Sequence, residues 1–220
     1  MFSELNASGY KYCTTYYNAE FETILSKIIV CYNMMIENNI QVEEDENKIR
    51  DVILKYYLKD NTVRKQLDLT DFLFDREVPE DNDLGRTDIK VQTPDTFKDT
   101  RAYYIIECKR IDARNQTGTS GLNAKYISNG ICRFVSEKYS THNNTNGMIG
   151  FVVQPMDINT NISCINGLLA DQNFQTNTKS NIKSHKIADN FEYSYFSTHS
   201  IGQQEVIIYH LMLDFSKNIQ

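Results

Sequence analysis

Apolar residues recur along the first part of the chain at steps of three and four: Phe21, Ile24, Leu25, Ile28, Ile29, Tyr32, Met35 and Ile36. That spacing is the stripe of an amphipathic helix and predicts one from about Asn18 to Glu37. A second helix is predicted to begin in the acidic run EEDEN, where negative side chains meet the positive end of the helix dipole, and to continue through KIRDVILKYYLKD. Ile49, Ile53 and Tyr56 mark its inward face. Glu46 precedes Ile49 by three residues and Ile53 by seven, so it falls on the apolar stripe and not on the solvent side of the first turn.

The period then changes. The acid-rich stretch DREVPEDNDLG reads as a loop, after which RTDIKVQ alternates, with Ile89 and Val91 on one face and Asp88, Lys90 and Gln92 on the other. TPDTFKDT reads as a turn and RAYYIIECKR as the returning strand, which together predict a hairpin. The loop NQTGTSG leads into a helix predicted from about Leu122 to Tyr139, with Ile127, Ile131, Phe134 and Val135 inward and Tyr126, Gly130 and Arg133 on a neighbouring stripe. THNNTNG signals a turn, MIGFVVQ a buried strand, and the stretch from Ile158 to Ala170 a further helix. The polar run QNFQTNTKSNIKSHKIADN reads as a long surface loop before two closing strands, FEYSYFS and QEVIIYHLMLDF. There is no repeat and no linker, so 220 residues are expected to form one domain.

Composition changes this picture little. Hydrophobic residues at 40% and charged residues at 24% are ordinary for a globular chain, and 14 tyrosines argue against disorder. Without a leader-like N-terminus or a long apolar run, a cytoplasmic protein that spans no membrane is expected. The five cysteines, at 13, 31, 108, 132 and 164, form no CxxC pair and are expected to be reduced and buried; the four scattered histidines argue against structural zinc. Charge matters more, because the net −6 is unevenly spread: residues 1–100 carry 12 basic against 20 acidic side chains. From Arg101 to Ser140 the balance reverses, with seven basic against three acidic, an excess able to meet phosphate.

The chemistry concentrates in YYIIECKRID. On a strand Glu107 and Lys109 share the face of Ile105, while Cys108 continues the opposite face with Tyr104 and Ile106. A buried carboxylate and ammonium cost several kcal/mol unless paired or bound to a metal. Phosphodiester hydrolysis gives such a pair a purpose, since it needs a hard cation on oxygen ligands and a group that orients or deprotonates water. Asp88, Glu107 and Lys109 have those chemical types on two strands predicted to be neighbours. The bare pattern acid-any-lysine occurs three times, at Glu46, Asp88 and Glu107, and only the third follows an apolar strand beside an aspartate-bearing one.

A helix, a strand with Asp, a strand with Glu-x-Lys and a following helix form the order found in the PD-(D/E)XK nuclease superfamily, and from about Glu43 to Gln154 this sequence resembles that superfamily. The resemblance implies an α/β fold: a restriction-endonuclease-like core with a central mixed β-sheet flanked by helices. Residues 1–40 would be an N-terminal helical extension, 43–154 the core, and 155–220 the strands and helix that complete it. It further implies that Asp88 and Glu107 bind Mg2+, or alternatively Mn2+, with the Cys108 carbonyl as a third ligand, and that Lys109 is the catalytic lysine. Glu46 matches a helix glutamate that supports the metal site, with Glu43, Glu44 and Glu20 as alternatives. The aspartate lies in GRTDIKV, without the proline that gives the motif its name.

The expected activity is therefore metal-dependent hydrolysis of nucleic acid, DNA before RNA, with Arg110, Arg114, Lys125 and Arg133 as contacts to the substrate backbone. Cutting both strands of a duplex would need two events or two subunits, which makes a homodimer or a protein partner a corollary. The alternative is a nuclease-like module that binds nucleic acid or protein without turnover, to which the acidic first half points. A thiol enzyme built on Cys108 is disfavoured by the inward face of that residue, and TGTSG lacks the lysine of a P-loop.

Overall fold

The computed structural model describes residues 13–79, 86–136, 138–139 and 144–220. A long helix α1 (Cys13–Glu37) is followed by α2 (Glu46–Ile53), which runs into a π-helical turn over Leu54–Leu58, and by the short α3 (Asn61–Gln66). Strands β1 (Leu73–Pro79), β2 (Arg86–Gln92) and β3 (Tyr103–Ile111) come next. Helix α4 (Leu122–Tyr126) passes through a second π-helical turn, Ile127–Ile131, into α5 (Cys132–Val135). The chain closes with β4 (Thr145–Val152), α6 (Ile158–Leu169), β5 (Thr178–Ser184), β6 (Ser194–Ile201) and β7 (Gln204–Asp214).

Among the described residues the strands join one seven-stranded mixed sheet in the order β1-β2-β3-β4-β7-β6-β5. The central three, β3, β4 and β7, are parallel, and antiparallel pairs extend the sheet on both sides. Central strands covered on both faces must be apolar on both, and every residue of β4 is buried. One face carries Tyr104, Ile106, Cys108, Ile149 and Phe151 against Phe21, Ile24 and Ile28 of α1 and Ile49 and Ile53 of α2. The other carries Tyr103, Ile105, Ile111 and Met148 against Tyr126, Ile131 and Phe134 and against Ile162 and Ile165 of α6. The result is an α/β fold of three layers. Among the described residues no helix is long and apolar enough to cross a membrane.

Four expectations are corrected. The acidic run predicted as a loop begins as a strand, since Asp75–Pro79 belongs to β1, which pairs with β2 alone. The polar run after α6 contains β5, which pairs with β6 alone and buries only Ile182. Both are edge strands, where charged residues and proline are tolerated because one side pairs with no strand among the described residues. Tyr56 does not face inward: it is 57% exposed, and Tyr57 takes its place at 7%. The π turn adds a residue to the helical repeat and so shifts the inward face by one position. Finally, the helix expected to reach Tyr139 ends at Val135. Cys31 and Cys108 are free and buried, whereas Cys132 and Cys164 are free and half-buried; the side chain of Cys13 lies outside the described residues, as does His142 of the turn signal.

A polar chain threads the second apolar layer. Its hydrogens can be assigned from one end: His199 Nδ1 meets the Thr176 carbonyl at 2.9 Å, so that nitrogen donates and Nε2 accepts from Ser197 Oγ at 2.8 Å. Ser197 in turn accepts from His210 Nε2 at 2.8 Å, which leaves His210 Nδ1 to accept from the Tyr126 hydroxyl at 2.8 Å. Both imidazoles are neutral donors and acceptors in this chain. Burial pushes His199 down to about 4 and His210 down to about 3 from the usual 6.5. A folded-state pKa below the unfolded one contributes stability that is fully present above pH 6.5 and is lost as pH falls toward the folded value. The melting temperature should therefore fall between pH 7 and pH 5, at roughly 2 kcal/mol for each histidine by pH 5. A double variant, His199→Asn with His210→Gln, should start less stable and lose less over that interval; an equal loss in thermal melts would contradict the assignment.

Candidate functional site

The pairing of β2 with β3 runs from Gln92 opposite Tyr103 to Ile89 opposite Ile106. Past Ile106 the amides on this edge of β3 meet carboxylates: Cys108 N–H donates to Asp88 Oδ2 at 2.8 Å and Arg110 N–H to Glu46 Oε2 at 3.0 Å. Two acids, one from β2 and one from the first turn of α2, thus take over where the strand ladder stops. Asp45 makes the second possible by capping α2, accepting from the N–H groups of Asn47 and Lys48 at 3.0 Å.

Lys109 reaches into this opening with a side chain only 10% exposed. Its Nζ lies 2.7 Å from Glu107 Oε1, 3.1 Å from Glu46 Oε1 and 3.5 Å from Asp88 Oδ2, and donates to the Cys108 carbonyl at 2.5 Å. Burial alone would lower the lysine's pKa; Glu107, Asp88 and Glu46 outweigh it and raise the pKa above the usual lysine value. The ammonium is therefore firmly charged.

Glu107 is wholly buried, between Ile105 and Lys109 on the face that meets α4 and α5. Its Oε1 also accepts from Arg133 Nη1 at 2.7 Å, and its Oε2 from the Tyr139 hydroxyl at 2.7 Å. Burial, and then the neighbouring Asp88, push this carboxyl up to about 7 against the pull of Lys109 and Arg133. Tyr139 has one proton and two acceptors in reach, Glu107 and the Arg86 carbonyl at 2.8 Å. Both can be satisfied when Glu107 itself carries a proton, which fits the raised value.

Arg50 grips the opposite side of Asp88. Only 1% exposed, it donates to Asp88 Oδ1 at 3.2 Å, Glu77 Oε1 at 3.0 Å and Asp51 Oδ1 at 2.9 Å, and Asp51 also pairs with Arg76. Asp88 is held through both oxygens, by a guanidinium on one and a backbone amide on the other. Arg50 does not stand out in the sequence, although one signal is present: it follows Glu46 by four residues and so shares its stripe. Tyr139 has no such signal, because it lies past the end of α5.

The structure brings together Glu46, Asp88, Glu107 and Lys109, with the Cys108 carbonyl among them. The other acids considered lie elsewhere: Glu20 accepts from the Tyr104 hydroxyl at 2.7 Å, Glu43 is 3.9 Å from Lys48, and Glu44 faces Arg110 and Arg114. Of the basic residues, Arg133 is engaged by Glu107, Arg114 pairs with Asp112 at 2.7 Å, and Arg110 donates to the Glu44 carbonyl at 2.7 Å. Lys125 is exposed on α4 and takes no part in the cluster's hydrogen bonds. Cys108 turns its sulfur into the first apolar layer, where burial pushes the thiol well above its usual pKa and leaves it a poor nucleophile.

These donors, three carboxylates and a carbonyl, are the hard oxygens that Mg2+ or Mn2+ takes, with no sulfur or imidazole among them. In chemistry the set fits such an ion. In position it is arranged about an ammonium, and among the described residues no three acidic, histidine or cysteine side chains are spaced to hold a metal as they stand. The centre is cationic either way. Removing the ammonium by Lys109→Met should cost about 3–5 kcal/mol in urea unfolding, because it leaves buried carboxylates facing one another. Adding Glu107→Gln should recover part of that loss; a Lys109→Met variant as stable as the parent would show that the ammonium does not balance the cluster. Compared with known proteins, the chain matches no family model, and no curated protein and no solved structure is similar enough to count as a match.

Proposed function

We propose that the chain is a metal-dependent nuclease on the restriction-endonuclease-like plan, of the PD-(D/E)XK kind. The observation that carries the reading is the ring of oxygens about Lys109 Nζ, drawn from a helix, from β2 and from β3 in the order that plan uses. Support also comes from β4, which follows the α4–α5 helix and lies parallel to β3.

Asp88 and Glu107 would hold the ion, with Glu46 and the Cys108 carbonyl beside them. When bound, Mg2+ or Mn2+ supplies a Lewis acid for the phosphate and lowers the pKa of water. With the ion held there, the Lys109 ammonium would lie beside it, able to orient the attacking water and offset the charge that develops on the phosphate. Arg50 maintains Asp88 in position, and Arg133 and Tyr139 do the same for Glu107. The carboxyl of Glu107, pushed up to about 7, must be ionised to bind a cation, so activity should rise with pH through neutrality.

A second reading has its own support. The cluster already pairs its charged groups internally, with Arg50, Lys109 and Arg133 set among Glu46, Asp88 and Glu107. A module that binds without turnover would look the same. Incubating the protein with duplex DNA, single-stranded DNA and RNA, with and without Mg2+ or Mn2+, separates the two. The nuclease reading expects cleavage only with metal, reduced at least about 100-fold by Asp88→Ala or Lys109→Met, and a melting temperature raised by Mg2+. Cleavage that ignores either substitution, or binding to nucleic acid that survives Glu107→Ala with no hydrolysis in any condition, would overturn it.

A further inference from the structure

Arg133 has a second surroundings. Its guanidinium holds Glu107, yet its side chain is 34% exposed, and the exposed part lines a cleft of about 620 Å3 between α5, the loop after α6 and β5. Among the described residues three cations, Arg133, Lys138 and Lys179, and one acid, Asp171, border that cleft. In a chain of net charge −6 the described lining residues thus carry a local excess of positive charge. Among the described residues neither Lys138 nor Lys179 forms an ion pair, and both are exposed, so their charge is free for a ligand. Phe174, half-buried, adds an aromatic surface to the same wall, and Gln175 is one of several amides along it.

Unpaired cations, an aromatic ring and amides are the three kinds of group that grip single-stranded nucleic acid, through phosphate, base face and base edge. We infer that this cleft takes one nucleotide of a single strand, with its phosphates on Lys138 and Lys179 and its base against Phe174. The volume agrees, since pockets of about 300–1,000 Å3 enclose one ligand of that order. Arg133 belongs both to this wall and to the pair with Glu107, so the cleft and the carboxylate cluster have that residue in common. The inference rests on the nuclease reading in taking the anion to be nucleic acid, and it adds where the strand lies.

The test is binding without cleavage. Labelled oligothymidylate and oligouridylate are titrated with the whole protein in EDTA, at several salt concentrations, and compared with the Lys138→Glu/Lys179→Glu variant and with Phe174→Ala. Both lysines are exposed, so the fold tolerates the reversal. Affinity for at least one oligonucleotide should fall roughly tenfold or more in the charge variant. The slope of log K against log salt should shrink by about 1.4, since each single-strand phosphate that a lysine neutralises adds about 0.7 to it. Phe174→Ala should weaken binding of the oligonucleotide and leave competition by inorganic polyphosphate unchanged. Unchanged affinity in the charge variant overturns the inference, and so does polyglutamate competing as well as oligonucleotide. The two readings fail separately: a protein that binds this way and never cleaves with metal keeps the cleft and loses the nuclease, while one that cleaves although the charge variant binds like the parent keeps the nuclease and loses the cleft.

Discussion

A lysine ammonium withdrawn from water must be given oxygens on more than one side, and the geometry of this molecule can be traced to how that is done. Lys109 takes them from α2, β2 and its own strand at once. For Glu46 to arrive from α2, the helix must lie across the end of the β2–β3 pairing. For Asp88 to arrive from β2, the two strands must part by that point. Each acid then does double service, since the same carboxylate that faces the ammonium also accepts a backbone N–H of β3. The separation of the strands and the burial of the charge thus support one another: without the carboxylates the strand edge would be left with unmet donors, and without the separation the lysine would have nowhere to go.

Much of this could be read in the sequence because period two is a strong signal on a strand buried on both faces. The alternation in YYIIECKRI separates Glu107 and Lys109 from Cys108 without further information, and the structure keeps that separation between the two apolar layers. Glu46 was readable for a related reason, its spacing from Ile49 and Ile53. What escaped is equally physical. Edge strands β1 and β5 carry little apolar patterning because only one neighbour constrains them. Arg50 looks like a surface residue until three carboxylates are seen around it, and those come from α2, β1 and β2. Tyr139 is brought to Glu107 by the path of the chain after α5, which no periodicity encodes.

The charge distribution takes on a spatial meaning here. The acidic excess of the first half is partly consumed in the cluster, where Asp51, Glu77 and Asp88 gather on Arg50. The basic residues from β3 onward divide into those turned inward, such as Lys109 and Arg133, and those left outward, such as Lys138. Net charge alone would count the two groups together. With its internal cations already paired with internal acids, a weakly acidic chain can still leave cations such as Lys138 exposed.

The two π-helical turns carry a consequence of their own. One lies just after Glu46 and Arg50, the other just after Tyr126 and before Arg133. Each divides its helix into segments whose angular settings are offset, so the leading segment can be fixed by one set of partners and the trailing segment by another. In a strictly regular helix, turning Glu46 and Arg50 toward their cluster would also dictate which of Tyr56 and Tyr57 meets the apolar layer. With an extra residue in the turn, those choices are uncoupled, and deleting that one residue would preserve the length of the hydrophobic stripe while rotating everything beyond it.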